Sequence, residues 1–476
     1  MRKLLKFKTI IILLIFIHTN SYANISLPNI IGSNMVLQSN ARVKIWGKAE
    51  PGEKISVTFR GQKDTTIADS SSNWSVYLKP FTSDNFNTYT MTVAGNNIIV
   101  LNNILCGDVW LVSGQSNMGM RVKDSNNSIE EISKANNNKI RLFHIKESTT
   151  NELQTDVVGS WVECSTETVS NFSAVGFFFS KELFQNMGKP LGIIQSAYGG
   201  TRINAWMSKE SLESLNAYDL SGSRPNISSE AYNAMIYPIQ NVALKSILWY
   251  QGESAGTIPN TKREEAYRIL FERMISDWRT LFNNLNLPFL FIQLSGDQVM
   301  KGRIPNETAE WYSVVRGAQF WAYKNIPNTG MAVTYDIGDL NNVHYTNKQE
   351  VGRRTALVAR AIVYGEKNLV FSGPIFDHAV IKGNKVILYF SNCGSGLAIK
   401  DGINGSAFAI TGKDMVTAKA NALINGNTVV VSAPEVKNPI EVKYVWFDAL
   451  DKLSYLYNKE GLPAASFRTG DLTLEK

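Results

Sequence analysis

The middle of this chain alternates short apolar segments with longer segments of helical periodicity. Residues 109–112, 191–195 and 246–250 lack the regular polar alternation of a half-exposed strand, which is typical of parallel strands covered on both faces. Residues 172–187 and 262–282 carry apolar side chains at helical spacing. Strands that alternate with helices predict a parallel sheet flanked by helices. The pattern continues with predicted strands at 289–294 and 331–335 and a last predicted helix at 348–364.

The segments on either side of this region lack helical spacing. Residues 42–47, 54–59 and 74–78 alternate apolar and polar side chains and are separated by turn residues, as in a small β-sandwich. Short strand-like runs also follow residue 369, with Asn-Gly and Gly-rich turns between them. We therefore predict three units, listed as an N-terminal β-sandwich at 24–103, an α/β domain at 104–366 and a C-terminal β-sandwich-like domain at 367–476.

The first 23 residues have the pattern of a secretory signal peptide. Four basic residues precede the apolar run 10–17, and Ser21-Tyr22-Ala23 supplies the small residues of a cleavage site. The run is too short to cross a bilayer, which takes about 20 apolar residues. The first cysteine is Cys106, so no lipid-anchor cysteine follows the cut. We expect an exported protein, periplasmic or secreted, with no membrane anchor.

Charge and cysteine content exclude several other classes of function. The formal net charge is +7, but four basic residues lie in 1–23, so the remainder carries about +3. Those charges are scattered, which argues against a nucleic-acid partner. Cys106, Cys164 and Cys393 are too few and too far apart for a disulfide framework or a zinc site. The sequence carries no signal for an oligomeric state.

Polar residues and glycines follow the predicted strands where each one ends. In an open parallel sheet, reactive groups collect at the carboxyl ends of the strands. A hydroxyl, glycines, an amide and an imidazole are the groups that acyl transfer to serine requires. These groups stand in four segments, namely 113–118, 196–201, 250–253 and 336–344.

The four histidines leave one candidate for a catalytic base. His18 falls in the signal peptide, His144 in a strand and His378 in the C-terminal β region. His344 instead lies in a polar loop between a strand end and a helix, so it is the histidine placed to activate a serine. Too few histidines remain for a zinc site, and we expect no metal and no cofactor.

Four blocks of sequence occur in order at these strand ends. They are Gly107-Asp108-Val109-Trp110 with Gly114-Gln115-Ser116-Asn117-Met118, Gly199-Gly200-Thr201 with Ala205-Trp206, Trp249-Tyr250-Gln251-Gly252-Glu253, and Asp336-Ile337-Gly338-Asp339 through His344 to Val351-Gly352-Arg353. In sequence and order they resemble the sialate O-acetylesterase family, a branch of the SGNH hydrolases. The flanks resemble it as well, through Met35-Val36-Leu37-Gln38 and Glu460-Gly461-Leu462-Pro463.

The resemblance implies a fold, an activity and a set of roles. The fold would be a flavodoxin-like three-layer α/β/α domain, and the activity would be hydrolysis of O-acetyl esters on carbohydrate, with O-acetylated sialic acid as the named substrate. Ser116 would be the nucleophile and His344 the general base and acid. The oxyanion would be held by the Ser116 N–H, the Gly199 N–H and the Gln251 amide. Gly199 is preferred to Gly200 by analogy with related hydrolases, and Gln251 could instead pin a loop.

The group that orients His344 departs from the pattern of the superfamily. Many SGNH enzymes have an Asp three residues before the histidine, where this chain has Asn341, and Asn342 follows where the family often has Asp. Neither amide carries the charge that stabilises an imidazolium. We predict Asp339 as the third catalytic residue. The open alternatives are Asp336, a backbone carbonyl or a Ser–His dyad.

Three further residues are candidates for substrate binding. Arg202 could meet a carboxylate or bind a backbone carbonyl, and Glu253 could contact sugar hydroxyls or hold its loop. Trp206 could be a platform for the sugar or part of the core. Other functions compatible with the sequence are an esterase for acetylated plant polysaccharide, a lipase-like enzyme and a non-catalytic glycan-binding protein.

Overall fold

The structure, a computed structural model, describes residues 24–83, 87–296, 311–339, 341–400, 402, 406–446 and 453–470. The predicted signal peptide, residues 1–23, lies outside the described residues. Within the described ranges, no helix combines the length and the apolar character needed to cross a membrane.

The N-terminal strands run directly into the central sheet. β3 pairs antiparallel with β4 and β6, β6 pairs with the first part of β7, and β2 pairs with β5. β7 then continues into the central sheet, so the predicted boundary between residues 103 and 104 falls inside one unbroken strand. The strands are β1 (Val36–Gln38), β2 (Val43–Lys48), β3 (Lys54–Phe59), β4 (Gln62–Ile67), β5 (Asn73–Leu78), β6 (Tyr89–Ala94) and β7 (Ile98–Gly114).

The central sheet is parallel except at one edge. Its order is β13-β12-β11-β7-β10-β8-β9, and only the pairing of β8 with β9 is antiparallel among these neighbours. Most of its strands are buried along their whole length, as their apolar sequences predict. The strands are β8 (Asn137–His144), β9 (Trp161–Cys164), β10 (Leu191–Ala197), β11 (Ser246–Tyr250), β12 (Phe289–Gln293) and β13 (Thr329–Val333).

Helices cover both faces of this sheet, which confirms the predicted mixed α/β class. Successive strand residues point to opposite faces: the ring centroid of Trp249 lies 5.6 Å from that of Trp278 in α5, whereas the ring of Tyr250 lies 5.4 Å from Lys348 Nζ in α7. α3 packs along α7, and α6 packs along α5. The helices are α1 (Ser116–Gly119), α2 (Ser128–Ser133), α3 (Ala174–Met187), α4 (Lys209–Ser214), α5 (Arg263–Leu281), α6 (Trp311–Asn325) and α7 (Lys348–Ile362).

The C-terminal region consists mainly of strands, which its sequence predicts, and they pair antiparallel. One sheet has the order β14-β15-β20-β19, another has the order β18-β17-β21-β23, and β16 pairs with β22. The strands are β14 (Ile375–Lys382), β15 (Lys385–Ser391), β16 (Leu397–Lys400), β17 (Phe408–Gly412), β18 (Thr417–Lys419), β19 (Asn421–Asn425), β20 (Thr428–Ser432), β21 (Pro439–Tyr444), β22 (Tyr455–Asn458) and β23 (Phe467–Arg468).

Gly352 sets the distance between α3 and α7. A Cβ atom at this position would lie 2.5 Å from the Cβ of Phe178 and 2.6 Å from the backbone nitrogen of Phe179. The two helices therefore touch backbone to backbone at this point. Because α7 begins a few residues after His344, this contact also fixes where the histidine loop ends.

We predict that Gly352→Ala lowers the free energy of unfolding by about 1–3 kcal/mol, because the added methyl group forces the two helices apart. Gly32→Ala is the matched control, since the nearest atom to its new Cβ lies 3.7 Å away. The control should change stability by less than about 0.5 kcal/mol. Denaturant unfolding of both variants measures the difference, and equal losses would contradict the close packing.

Candidate active site

Three strands of the central sheet end at the same level, and a glycine allows two of them to lie close together there. Gly114, the last residue of β7, is in register with Ala197 of β10 and Tyr250 of β11. Its φ is +139°, and a Cβ there would lie 2.0 Å from the carbonyl oxygen of Tyr250. Any other residue would be both strained and in collision. The chain can therefore turn sharply at the sheet edge before Ser116, which begins α1.

The side chains of Ser116 and His344 meet at this edge. The distance from Ser116 Oγ to His344 Nε2 is 2.7 Å, although 228 residues separate them in sequence. Ser116 is half-buried and His344 is exposed, so a solute can reach the pair. A hydroxyl hydrogen-bonded to an imidazole is the arrangement that activates a serine nucleophile. The other two histidines that the structure describes lie elsewhere, with His144 at the end of β8 and His378 in β14, stacked on Tyr389.

Gly199 lies directly beside the serine. A Cβ at Gly199 would be 3.5 Å from the Cβ of Ser116. Among the residues that the structure describes, neither the Ser116 N–H nor the Gly199 N–H has a hydrogen-bond acceptor. Gly200 has a φ of +74° and forms the turn that follows. Two backbone donors beside a nucleophile are what an oxyanion hole requires.

The Gln251 side chain pins the neighbouring loops together. It is fully buried, and its Nε2 donates hydrogen bonds to the carbonyl oxygens of Thr201, at 3.1 Å, and Ser254, at 2.7 Å. Its Oε1 accepts a hydrogen bond of 3.0 Å from the Tyr267 hydroxyl. Both amide hydrogens are thus engaged with backbone carbonyls. Of the two roles considered for Gln251, this geometry favours pinning the loop over donating to an oxyanion.

The two candidate carboxylates before His344 have other partners. The Asp336 side chain is 6% exposed and forms a two-pronged ion pair with Arg354, with distances of 2.6 Å and 2.8 Å. Asp339 is exposed, and its Oδ1 accepts a 2.9 Å hydrogen bond from the Asn341 N–H. Across the described parts of this loop, residues 336–339 and 341–344, no hydrogen bond or ion pair joins either carboxylate to the His344 side chain. Asp336 instead anchors the base of the loop.

Arg354 is the cation that holds this anchor. Burial alone would lower the pKa of Arg354, but the Asp336 and Glu350 carboxylates outweigh it and raise the pKa. Its guanidinium also donates a 2.7 Å hydrogen bond to the carbonyl oxygen of Val333, the last residue of β13. The ion pair therefore ties α7 to the strand end from which the histidine loop departs.

The predicted substrate-binding residues do not all line the surface. Arg202 is exposed, so a solute can reach its side chain. Trp206 is fully buried, and its indole N–H donates a 2.8 Å hydrogen bond to Thr201 Oγ1. An indole without exposed surface offers no face to a sugar, so of the two roles considered for Trp206 its burial favours the core. Glu253 accepts a short hydrogen bond from Asn117 Nδ2 and so holds its own loop to α1.

The sequence analysis assigned no role to Asn117 or Lys348. Lys348 is fully buried, and its Nζ donates a 2.6 Å hydrogen bond to Asn117 Oδ1. Asn117 Nδ2 also donates to the carbonyl oxygen of Val343, at 3.0 Å. The available signal was the place of Lys348 in the first turn of α7, because a cation at a helix N-terminus opposes the helix dipole.

Comparisons with known proteins find similar carbohydrate esterases. The family model described as "Carbohydrate esterase, sialic acid-specific acetylesterase" matches residues 106–361. The chain is 34% identical to the sialate O-acetylesterase of Homo sapiens over 398 residues, which is 75% of each chain. It is 30% identical to that of Mus musculus over 434 residues, covering 77% of this chain and 79% of the relative. A crystal structure of a carbohydrate acetylesterase from Xanthomonas citri matches with a TM-score of 0.85 and 32% identity, covering 94% of this chain and 99% of that one.

We predict that Asp336→Ala and Asp339→Ala differ strongly in stability. Asp336→Ala leaves the buried Arg354 guanidinium with one carboxylate partner, Glu350, instead of two, so the free energy of unfolding should fall by about 3 kcal/mol. Asp339→Ala removes an exposed carboxylate and should lower it by less than about 0.5 kcal/mol. Equilibrium denaturation of the two variants tests this, and a large loss in the Asp339 variant alone would reverse the assignment of the anchor.

Proposed function

The chain belongs to the family of sialic acid-specific acetylesterases, carbohydrate esterases that hydrolyse carboxylic esters, and we propose that it deacetylates O-acetylated sialic acid through an acetyl–Ser116 intermediate. The observation that carries this proposal is the 2.7 Å contact between Ser116 Oγ and His344 Nε2 at the carboxyl edge of the sheet. Acetylated plant polysaccharide is the alternative substrate, because the same groups would cleave its esters.

In the first half-reaction, Ser116 Oγ attacks the carbonyl carbon of the acetyl group. His344 Nε2 accepts the hydroxyl proton as the new C–O bond forms. The carbonyl oxygen becomes an oxyanion, and the N–H groups of Ser116 and Gly199 stabilise it. When the tetrahedral intermediate collapses, His344 returns the proton to the sugar oxygen, which leaves as a free hydroxyl.

In the second half-reaction, water replaces the sugar. His344 accepts a proton from the water as its oxygen attacks the acetyl–Ser116 carbonyl, and the same two N–H groups hold the new oxyanion. Collapse of this intermediate breaks the bond to Ser116 Oγ, which takes the proton back from His344. Acetate is released and the enzyme is regenerated.

We assign Gln251, Asp336 and Asp339 supporting roles. Gln251 fixes the Thr201 and Ser254 carbonyls and thereby the loop that carries Gly199. Asp336 anchors the histidine loop through Arg354. Asp339 caps the turn at Asn341, and its assignment as a third catalytic residue stays a prediction that the activity of Asp339→Ala tests.

The remaining parts of the proposal concern the whole chain. The pattern of residues 1–23 supports export to the periplasm or the medium after cleavage following Ala23. The strand content of 24–103 and 367–476 supports β-sandwich-like units on both sides of a three-layer SGNH-type domain at 104–366. Exposed Arg202 is the candidate for contact with the sialic acid carboxylate.

We predict that Ser116→Ala lowers kcat/KM for an aryl acetate by at least about a thousandfold, because the nucleophile is gone. Ser113→Ala is the matched control, since Ser113 is a buried serine three residues earlier on β7. The control should retain nearly full activity. Acetate release from both variants decides, and an active Ser116→Ala enzyme would remove the mechanism.

A substrate panel tests the proposed sugar. Acetylated sialic acid and acetylated xylan are treated separately, and the loss of acetyl groups is followed by mass spectrometry. Faster deacetylation of sialic acid, and a further loss of that rate in Arg202→Ala without loss on aryl acetate, is the expected result. Preference for xylan would support the alternative substrate and leave the Ser116 mechanism intact.

A further inference from the structure

A buried polar network lies beneath the Ser116–His344 pair and links three loops. Its centre is the Asn117 side chain, which belongs to the residue after the nucleophile. Asn117 Oδ1 accepts a 2.6 Å hydrogen bond from Lys348 Nζ, and Asn117 Nδ2 donates to Glu253 Oε1 and, at 3.0 Å, to the Val343 carbonyl oxygen. Val343 is the residue before His344. One amide thus spans from the serine turn to the histidine loop.

Lys348 decides which way the Asn117 amide faces. An ammonium group is a donor with no acceptor atoms, so the amide oxygen must face Lys348 and the amide nitrogen must face the opposite side. On that side are two acceptors, the Glu253 carboxylate and the Val343 carbonyl. A flipped amide would set donor against donor and acceptor against acceptor. The lysine therefore selects the single orientation in which Asn117 can hold the histidine loop.

The surroundings of Lys348 keep this donor in place. The ammonium lies 3.8 Å from the ring centroid of Tyr345 and 5.4 Å from that of Tyr250, and the hydroxyls of these two tyrosines are 2.7 Å apart. Two aromatic faces and one amide oxygen thus surround the nitrogen. Cation–π contacts of this kind stabilise a cation that has lost its water.

We propose that Lys348 is a positioning residue for ester hydrolysis, which through Asn117 holds the peptide bond before His344 at a fixed distance from Ser116. The proposal rests on Ser116 and His344 as the reacting pair. A displacement of about 1 Å in a catalytic group can cost about a hundredfold in rate. We therefore expect the link from Lys348 through Asn117 to Val343, here called the strut, to affect the chemical step and not substrate binding.

Lys348→Met tests the proposal, because it keeps an unbranched side chain only one atom shorter and removes its donor. We expect kcat for an aryl acetate to fall by about a hundredfold with little change in KM. Replacing a buried charge with an apolar side chain seldom prevents folding. Lys181→Met is the matched control, since Lys181 pairs with Glu131 at 2.6 Å on the outer side of α3, and its kcat should stay at the wild-type value.

A double-mutant cycle separates a shared strut from two independent effects. Asn117→Leu removes the amide and should reduce kcat as much as Lys348→Met does. The double variant should then be no slower than either single variant, because both changes cut the same link. Multiplied losses, or a Lys348→Met enzyme with wild-type kcat, would overturn the proposal. Ser116→Ala in the same assay shows separately whether the serine mechanism itself holds.

The pH dependence of stability provides a second readout. Burial lowers the pKa of Lys348 to about 7, although the Glu253 carboxylate acts in the opposite direction. Burial also raises the pKa of Tyr345 to about 12 and that of Tyr250 well above its ordinary value, so both folded phenols stay neutral near pH 8. Asn117, which also faces the ammonium, does not titrate. Lys348 is therefore the group of this cluster that changes charge between about pH 7 and 9.

The sign of this effect follows from proton binding. An unfolded lysine keeps its proton up to about pH 10.4, whereas folded Lys348 releases it above about pH 7. The unfolded state then binds more protons, so the wild-type free energy of unfolding should rise with pH relative to that of Lys348→Met between pH 7 and 9. Denaturation across this range measures the difference. Parallel curves for the two proteins would contradict the lowered pKa of Lys348, and the kcat of Lys348→Met would then decide the positioning role.

Discussion

The hydrogen bond between Ser116 and His344 joins two parts of the chain that only the parallel sheet brings together. The end of β7 delivers the serine, and the loop after β13 delivers the imidazole. The distance between them depends on strand register on one side and on helix packing on the other. Gly114 allows β7 and β11 to end at the same level, and Gly352 allows α7 to lie against α3. Both glycines are needed because the contacts there are with backbone atoms.

The C-terminal strands take part in the same arrangement. The Tyr335 hydroxyl lies 2.9 Å from the Tyr444 hydroxyl and donates a 2.8 Å hydrogen bond to the Ala464 carbonyl oxygen. The Tyr457 hydroxyl lies 3.4 Å from Asp336 Oδ2, on the carboxylate that pairs with Arg354. Both α7 and the C-terminal region therefore contact Tyr335 or Asp336, at the start of the segment that leads from β13 to His344. This gives the C-terminal region a structural role at the base of the histidine loop.

Much of the fold could be predicted because burial on both faces leaves a clear sequence pattern. β11 was predicted at its observed bounds, and α5 within one residue at each end, because apolar side chains fill most of their buried positions. α6 was missed because its buried face includes Arg316 and Gln319, which break the apolar spacing. The contact between Ser116 and His344 was expected because both residues follow the carboxyl ends of parallel strands. The core position of Trp206, the pinning role of Gln251 and the Lys348–Asn117 link all depend on tertiary partners that no local pattern contains.

Covalent labelling tests the central claim, that Ser116 is a nucleophile activated by His344, most directly. The protein is treated with a fluorophosphonate, and the modified peptide is identified by mass spectrometry. The account predicts modification of Ser116 alone in the wild-type protein and loss of labelling in His344→Ala, because the serine then lacks its base. Labelling at another serine, or labelling of Ser116 that is equally fast without His344, would contradict it.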